Sequence, residues 1–231
     1  MNTVVDRSLL QGATPFGGCG VLGADGVDGM DDVLRTACVS RYGQHDTIFF
    51  EGDRAETVCQ LVEGAVMLYK LLPDGRRQVV ELLGPGDVFG FAQGEFRDSS
   101  AETLTATRVR FYDRRHAERS CSFQRVIARQ MLVQLEAMHE HAVLLGRMSA
   151  MERVARFLLR LAVHVAGEAS EPEVVRLSMT RQEIADYLGL TIETVSRSFS
   201  ELRRRGVIVL EKQDRVRIAN QRAMEDLAIA C

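Results

Sequence analysis

The strongest constraint on the fold of this chain is a change in the period of its apolar residues close to Asp113. From about Gln44 to Asp113 they arrive in short runs: TIFF, TVCQLVEGAVMLYKLL, RRQVVELL, DVFGFA, AETLTAT and RVRFY. Turn formers stand between the runs, as EGD, PDG, GPGD and RDSS. Breaks at roughly ten-residue intervals leave no room for helices and predict an all-β barrel or sandwich of six or more strands. LLPDGRRQVV reads as a hairpin, because Pro73 presets φ and Asp74-Gly75 supplies the positive φ of a tight turn. Downstream the punctuation stops. Phe123 to Met148 contains neither Gly nor Pro before Gly146, and Met131, Leu135, Met138, Ala142 and Leu145 alternate spacings of four and three. That narrow a/d seam predicts a long helix pairing with a second copy of itself, with Val126, Leu132 and Val133 turned towards the barrel. A break near Gly146–Ser149 precedes a second amphipathic helix, AMERVARFLLRLAVHVA, whose Val154, Phe157, Leu158, Leu161 and Val165 form a core stripe.

The 231 residues suffice for two modest domains. No apolar run is long enough to span a bilayer and no basic-then-apolar signal opens the chain, so a cytoplasmic protein without a membrane partner is expected. The five cysteines, Cys19, Cys38, Cys59, Cys121 and Cys231, lie far apart with no C-x-x-C pair, which argues against disulfides and against a zinc or iron–sulfur knot. His139-Glu140-His141 resembles a metal pair, but residues two apart on a helix point about 200° from each other. Solvent-facing imidazoles are expected there. GCGVLG, Gly18 to Gly23, matches the dinucleotide pattern G-x-G-x-x-G only formally, since no strand precedes it and no helix opens from it. The organisation expected is a flexible segment over 1–29, a β-barrel over 30–120, a dimerisation helix over 121–148 and a second folded unit over 149–231.

Net charge is −3, yet Arg197 to Arg217 holds seven basic and three acidic residues. Such a local basic stripe is the footprint of polyanion binding. It lies within LSMTRQEIADYLGLTIETVSRSFSELRRRGVIVLEKQDRVRIAN. Thr180 and Glu183 form a capping box for a short helix, Gly189 ends it, and Thr191 caps the next. Ala185, Gly189 and Val195 carry the small, turning and locking positions of a helix-turn-helix, with Ile184, Leu188, Val195, Phe199 and Leu202 as its core. VIVLEKQDRVRIAN reads as a two-strand wing turning near Gln213-Asp214. Ile192, Glu193, Ser196 and Arg197 then share the outward face of the second helix, which enters the major groove. Arg197 suits bidentate bonding to a guanine and Glu193 can accept from a cytosine amino group. Thr180, Arg181, Gln182, Thr191 and Thr194 sit at helix N-termini, where they can hold phosphates.

Barrel, long helix and winged helix in that order resemble the Crp/Fnr superfamily of bacterial transcription regulators over roughly residues 40–220, most closely in GDVFG, MTRQEIADYLGL and TIETVSRSFSELRRRGVI. The resemblance implies an α+β chain with a cyclic-nucleotide-binding-like jelly-roll barrel, a homodimer and double-stranded DNA as partner. It also implies RNA polymerase as a partner, through loops such as Pro73–Arg76. The E-x-x-S-R pattern of Glu193, Ser196 and Arg197 is similar to the Fnr and FixK branches, which read inverted repeats of the type TTGA–N6–TCAA. The cyclic-nucleotide cassette is not matched: Ser99-Ser100 stand where Arg-Ser would fall, Gly94-Glu95 lie too close upstream, and Arg97 is out of register. Nor does Cys19 have the neighbouring cysteines an oxygen-sensing cluster needs. The expectation is therefore a FixK-type activator of microaerobic or nitrogen-fixation genes, with no cofactor and no metal. The alternative keeps the scaffold and adds a small-molecule or haem gate in the barrel. An enzyme is not expected, because no nucleophile–base pair, metal cluster or phosphate loop is present in the sequence.

Overall fold

The computed structural model describes residues 37–165 and 174–229. The segment 1–29 with its GCGVLG, the GEASEPE loop, Cys231 and the side chain of Val165 lie outside the described residues. Eight strands form two antiparallel four-stranded sheets. One, in the order β1-β8-β3-β6, joins β1 (Cys38–Tyr42), β8 (Thr107–Asp113), β3 (Thr57–Glu63) and β6 (Val88–Phe89). The other, β2-β7-β4-β5, joins β2 (Thr47–Phe49), β7 (Ser100–Thr103), β4 (Val66–Leu71) and β5 (Arg77–Leu83). Each sheet keeps free edges, so the expected barrel is an open jelly-roll sandwich rather than a closed cylinder. Phe49, Leu61, Val66, Leu83, Phe89 and Val109 fill the space between the sheets, with the Phe49 and Phe89 rings 6.1 Å apart. The PDG hairpin forms as its turn chemistry dictates: Leu72 N–H donates to Arg76 O at 2.8 Å and Gly75 adopts φ +82°. At the β3–β4 turn only glycine fits, because a Cβ on Gly64 would lie 2.4 Å from Thr107 Oγ1. Strand β1 was not legible as an apolar run, since it lies at a sheet edge with Cys38, Val39 and Arg41 exposed.

A short helix α1 (Arg114–Arg119), capped by the Asp113 carboxylate on His116 N–H, leads into the 27-residue α2 (Cys121–Arg147). The face that α2 lays on the sandwich differs from the expected one. Phe123 packs edge-on against Tyr112 at 4.9 Å, beside Val58, Val88 and Ile127. Gln130 Nε2 then donates to Asp87 Oδ1 (2.9 Å) and Gln134 Nε2 to the Val88 carbonyl (3.0 Å). Leu132, assigned to the sandwich from the sequence, is 67% exposed. An apolar count misses a contact face whose middle is built from amides. Met131, Leu135, Met138 and Ala142 lie exposed, whereas Leu145 is partly buried against the core.

His139 is solvent-facing as expected, but His141 is buried and stacked on Tyr187 with centroids 4.4 Å apart. Neither of its ring nitrogens meets a protein hydrogen-bond partner, and burial, helped by Arg160 and Arg153, pushes its pKa down to about 4. The physical reason for the correction is that, besides the sandwich, α2 has the C-terminal unit as a neighbour, against which its last turns pack.

That unit comprises α3 (Ala150–Val165), β9 (Val174–Arg176), α4 (Arg181–Leu188), α5 (Ile192–Arg204), β10 (Ile208–Lys212), β11 (Arg215–Ile218) and α6 (Gln221–Ile229). The wing gains a third strand, giving the sheet order β10-β11-β9. Helix α6 places Met224 and Ala228 in the core with Val154, Phe157, Leu158 and Leu161. Helix α4 abuts the sandwich: Arg77 Nε pairs with Asp186 Oδ2 at 2.9 Å, and Gln78 Nε2 reaches the Tyr187 carbonyl at 3.4 Å. No described helix is long and apolar enough to cross a membrane.

The His141 site gives a signed pH dependence. Its folded pKa lies below the ordinary 6.5, so at higher pH the ring is neutral in both states. As pH falls below 6.5 the unfolded chain takes up a proton that the native state refuses, and stability is lost down to about pH 4. His141→Phe keeps the stack on Tyr187 and removes this loss. Its stability relative to the parent is expected to rise by about 1 kcal/mol between pH 7.5 and 5.5. Denaturant melts at the two pH values check this, and an equal difference at both contradicts it.

Candidate nucleic-acid interface

The helix pair α4–α5 is assembled by local chemistry. The Thr180 hydroxyl accepts from Glu183 N–H at 3.2 Å while Glu183 Oε2 accepts from Thr180 N–H at 2.6 Å, the reciprocal capping box. Gly189 takes the left-handed conformation (φ +61°, ψ +40°) that ends α4, and Leu190 N–H bonds Ala185 O at 3.0 Å. The Thr191 hydroxyl then accepts from Thr194 N–H at 3.3 Å and starts α5. Ile184, Ala185, Leu188, Val195, Phe199 and Leu202 are all buried beneath this corner.

Burying one side of α5 leaves the other as a continuous exposed face holding Ile192, Glu193, Ser196 and Arg197. The structure thus brings together all four side chains expected to read bases. Ser200 extends the same face one turn further, its hydroxyl donating to Ser196 O at 3.0 Å. The sequence reading missed it, although its i+4 spacing from Ser196 carries the signal. Glu193 is fully exposed and ionised: its own backbone N–H, the Thr191 hydroxyl and nearby Arg197 hold its carboxyl below the usual range. Among the described residues no ion pair within 4 Å joins Glu193 to Arg197, so neither is consumed by a surface pair.

The arginines of α5 and its C-cap divide by partner. Arg204 Nη2 and Arg205 Nε both grip Glu201 Oε1 at 2.7 Å, holding that carboxyl at about 2. Arg197 has no such acidic partner within 4 Å among the described residues, and it lines a shallow groove with Met151, Thr194, Ser200 and the Glu201–Arg204 pair. Thr180, Gln182 and Thr191 stand exposed and Thr194 half-buried at the two helix N-termini. Arg181 differs, because its guanidinium stacks 3.7 Å over the Phe199 ring, half-buried in the corner rather than extended outward. Arg215 on β11 is exposed and Arg217 pairs with Glu211 at 3.0 Å, so the wing carries basic charge beside the helix. A helix N-terminal face with ionised and hydroxyl side chains, flanked by amide ends and a basic wing, suits insertion into a major groove.

Comparison with known proteins agrees with this geometry. Residues 152–227 match the Crp-like helix-turn-helix domain, and residues 39–122 match the cyclic nucleotide-binding domain. The chain is 39% identical over 223 residues to the transcriptional activatory protein AadR of Rhodopseudomonas palustris, covering 92% of this chain and 89% of that one. It is 38% identical over 190 residues to the nitrogen fixation regulation protein FixK of Rhizobium meliloti, covering 82% and 86%. The solved structure of FixK2 from Bradyrhizobium japonicum superposes with a TM-score of 0.76 at 36% identity, covering 85% of this chain and 99% of that one.

The turn between the helices is the most sensitive point of this interface. A Cβ on Gly189 would sit 3.2 Å from Leu145 Cδ2, and any L side chain is strained at φ +61°. Gly189→Ala is expected to cost about 1–2 kcal/mol by melting. Because the strain lies between α4 and α5, the variant should also lose DNA affinity at temperatures where it stays folded. A variant as stable as the parent contradicts the close packing described.

Proposed function

The chain belongs to the Crp/Fnr family of transcription regulators, and on that premise we propose that it is a homodimeric activator of the FixK type. It reads an inverted repeat resembling TTGA–N6–TCAA and acts on genes of microaerobic or nitrogen-fixation metabolism. The observation that carries the reading is the exposed Glu193–Ser196–Arg197 face of α5, whose two charges make no ion pair within 4 Å among the described residues. Arg197 offers a planar two-pronged donor for guanine O6 and N7, Glu193 accepts from a cytosine amino group, and Ser196 is small enough for close approach. The names of the relatives support the regulatory context, and one of them is a transcriptional activatory protein.

Pairing of two chains is supported by α2, where Met131 (47%), Leu135 (47%) and Met138 (58%) expose an apolar line that a second copy would cover. An inverted repeat requires that two-fold arrangement, since each protomer then reads one half-site. The turn at Pro73–Arg76 is exposed and remains the surface we assign to RNA polymerase.

Regulation without a bound cyclic nucleotide is supported by Arg97. Its guanidinium is buried inside the sandwich, where Nη1 donates to Gly90 O at 2.6 Å and Nη2 to Thr57 O at 2.9 Å, 3.9 Å over the Phe49 ring. A cation spent on carbonyls and a ring is not available as the counter-charge of a cyclic phosphate.

Two measurements test this reading. Selection of bound sites from random duplex DNA should return two inverted half-sites, and Arg197→Ala should relax one base pair in each half at a cost of about 1–3 kcal/mol. Equal weakening on specific and random DNA would assign Arg197 to the backbone instead. Leu135→Glu should convert the protein to a monomer in sedimentation and remove binding to the full repeat while the fold is kept. A dimer that survives this change refutes the α2 interface.

A further inference from the structure

Where the reading unit meets the sandwich, three potential metal ligands converge from three separate elements. His45 lies in the β1–β2 turn, Glu102 on β7 and Glu183 in the first turn of α4. His45 Nδ1 is 3.3 Å from Glu102 Oε1 and 3.4 Å from Glu183 Oε1, and the three ligand atoms lie within 4.8 Å of one another. We propose that these residues form a binding site for a single first-row divalent cation of the zinc type, bridging the sandwich and the helix-turn-helix.

The distances point to a metal rather than to a protonated histidine. A charge-assisted N–H···O bond closes to about 2.7–2.9 Å, and one imidazole N–H shared between two carboxylates makes only a long, weak three-centre contact. Nitrogen and oxygen ligands held about 2.0–2.2 Å from a tetrahedral zinc are instead separated by about 3.3–3.5 Å, the edge of the tetrahedron. Both nitrogen–oxygen separations fall there, and the two carboxylate oxygens lie within 4.8 Å of each other.

The carboxylates are also oriented as ligands are. Each uses one oxygen for support and turns the other into the site. Glu183 Oε2 is held by Thr180 N–H (2.6 Å) and the Thr180 hydroxyl (2.9 Å), leaving Oε1 towards His45. Glu102 Oε2 takes Arg77 Nη1 at 3.4 Å, leaving Oε1 towards the same nitrogen. Glu183 is only 3% exposed, so its inward oxygen has little access to bulk water. The His45 turn is fastened beside Glu102 by His45 N–H donating to Thr103 O at 2.8 Å, and His45 takes φ +62°, outside the usual range for its side chain. A set of one nitrogen and two oxygens suits zinc or a neighbouring divalent metal, with a fourth position open to water. The same Glu183 that caps α4 thereby joins it to the sandwich, so an ion here stabilises the docked arrangement of the two units.

The test uses the full-length chain, stripped with chelator and titrated with Zn2+, with Co2+ as an optical probe. One ion per chain should bind, and free zinc a hundredfold above Kd should raise Tm by about 5 °C or more. His45→Asn keeps a residue that tolerates the left-handed turn and removes the imidazole, so it should melt like the parent without metal and lose the zinc-induced shift. Glu102→Gln should do the same. Arg77→Met, which touches no ion, should bind the same single ion about tenfold more weakly. The proposal fails if no stoichiometric ion binds, or if His45→Asn binds as the parent does. It fails equally if bound Co2+ shows thiolate charge-transfer bands, which would place the ion on the exposed Cys38 or Cys121. No DNA enters these measurements, so their outcome is independent of the operator reading.

Discussion

The arrangement of the whole chain depends on one guanidinium. Arg153, at the start of α3, donates from Nη2 to Leu145 O (2.7 Å), from Nε to Met148 O (2.9 Å) and from Nη1 to Leu188 O (2.9 Å). The first two carbonyls end the long helix α2 and the third ends α4, so one cation satisfies the negative ends of two helices that are distant in sequence. A flexible cation would tolerate many geometries, but a planar fork held by three carbonyls tolerates few. The direction in which α5 presents its outer face follows from this knot, together with the Arg77–Asp186 and Gln78–Tyr187 contacts to the sandwich. Tyr187 and His141 stack beside it and close the joint from the α2 side.

Around that joint, polar groups are used for position rather than for solubility. Gln130 and Gln134 tie α2 to Asp87 and Val88, and burial raises the Asp87 carboxyl to about 6 despite the Gly84 N–H and Gln130 bonds it accepts. Burial likewise raises Glu81 to about 7, with Asp87 and Asp98 adding to the effect. Between about pH 4.5 and 7 such a carboxyl binds a proton in the native state that it releases on unfolding, so it favours the fold as pH falls. His141 works in the opposite sense over an overlapping range. The two effects therefore oppose each other between about pH 4.5 and 6.5.

Much of the site was legible in the sequence because its signals are local. Capping box, left-handed Gly189 and the i, i+3, i+4 spacing of Glu193, Ser196 and Arg197 each need only a few consecutive residues, and each appears as read. Arg181 was less legible: its position at a helix N-terminus suggested phosphate, but Phe199, eighteen residues on, captures the cation. The exposed edge strand β1, the third wing strand β9 and helix α6 went unread because none has a strong apolar period of its own. Membership of the Crp/Fnr family rested on the same local motifs, together with the order of the units.

By itself the sequence determined the classes of the elements, the two-unit order and the identity of the side chains on the reading face, because periodicity, caps and turn chemistry act over single turns. Only the tertiary structure decided that the eight strands divide into two open sheets, that α2 meets the sandwich through glutamines, and that His141 is buried. The same holds for His45, Glu102 and Glu183, which are separated by up to 138 residues: β2–β7 pairing sets His45 beside Glu102, and Glu183 joins them only when α4 docks. Such contacts depend on long-range packing of polar groups, and polar groups carry no period from which a partner can be read.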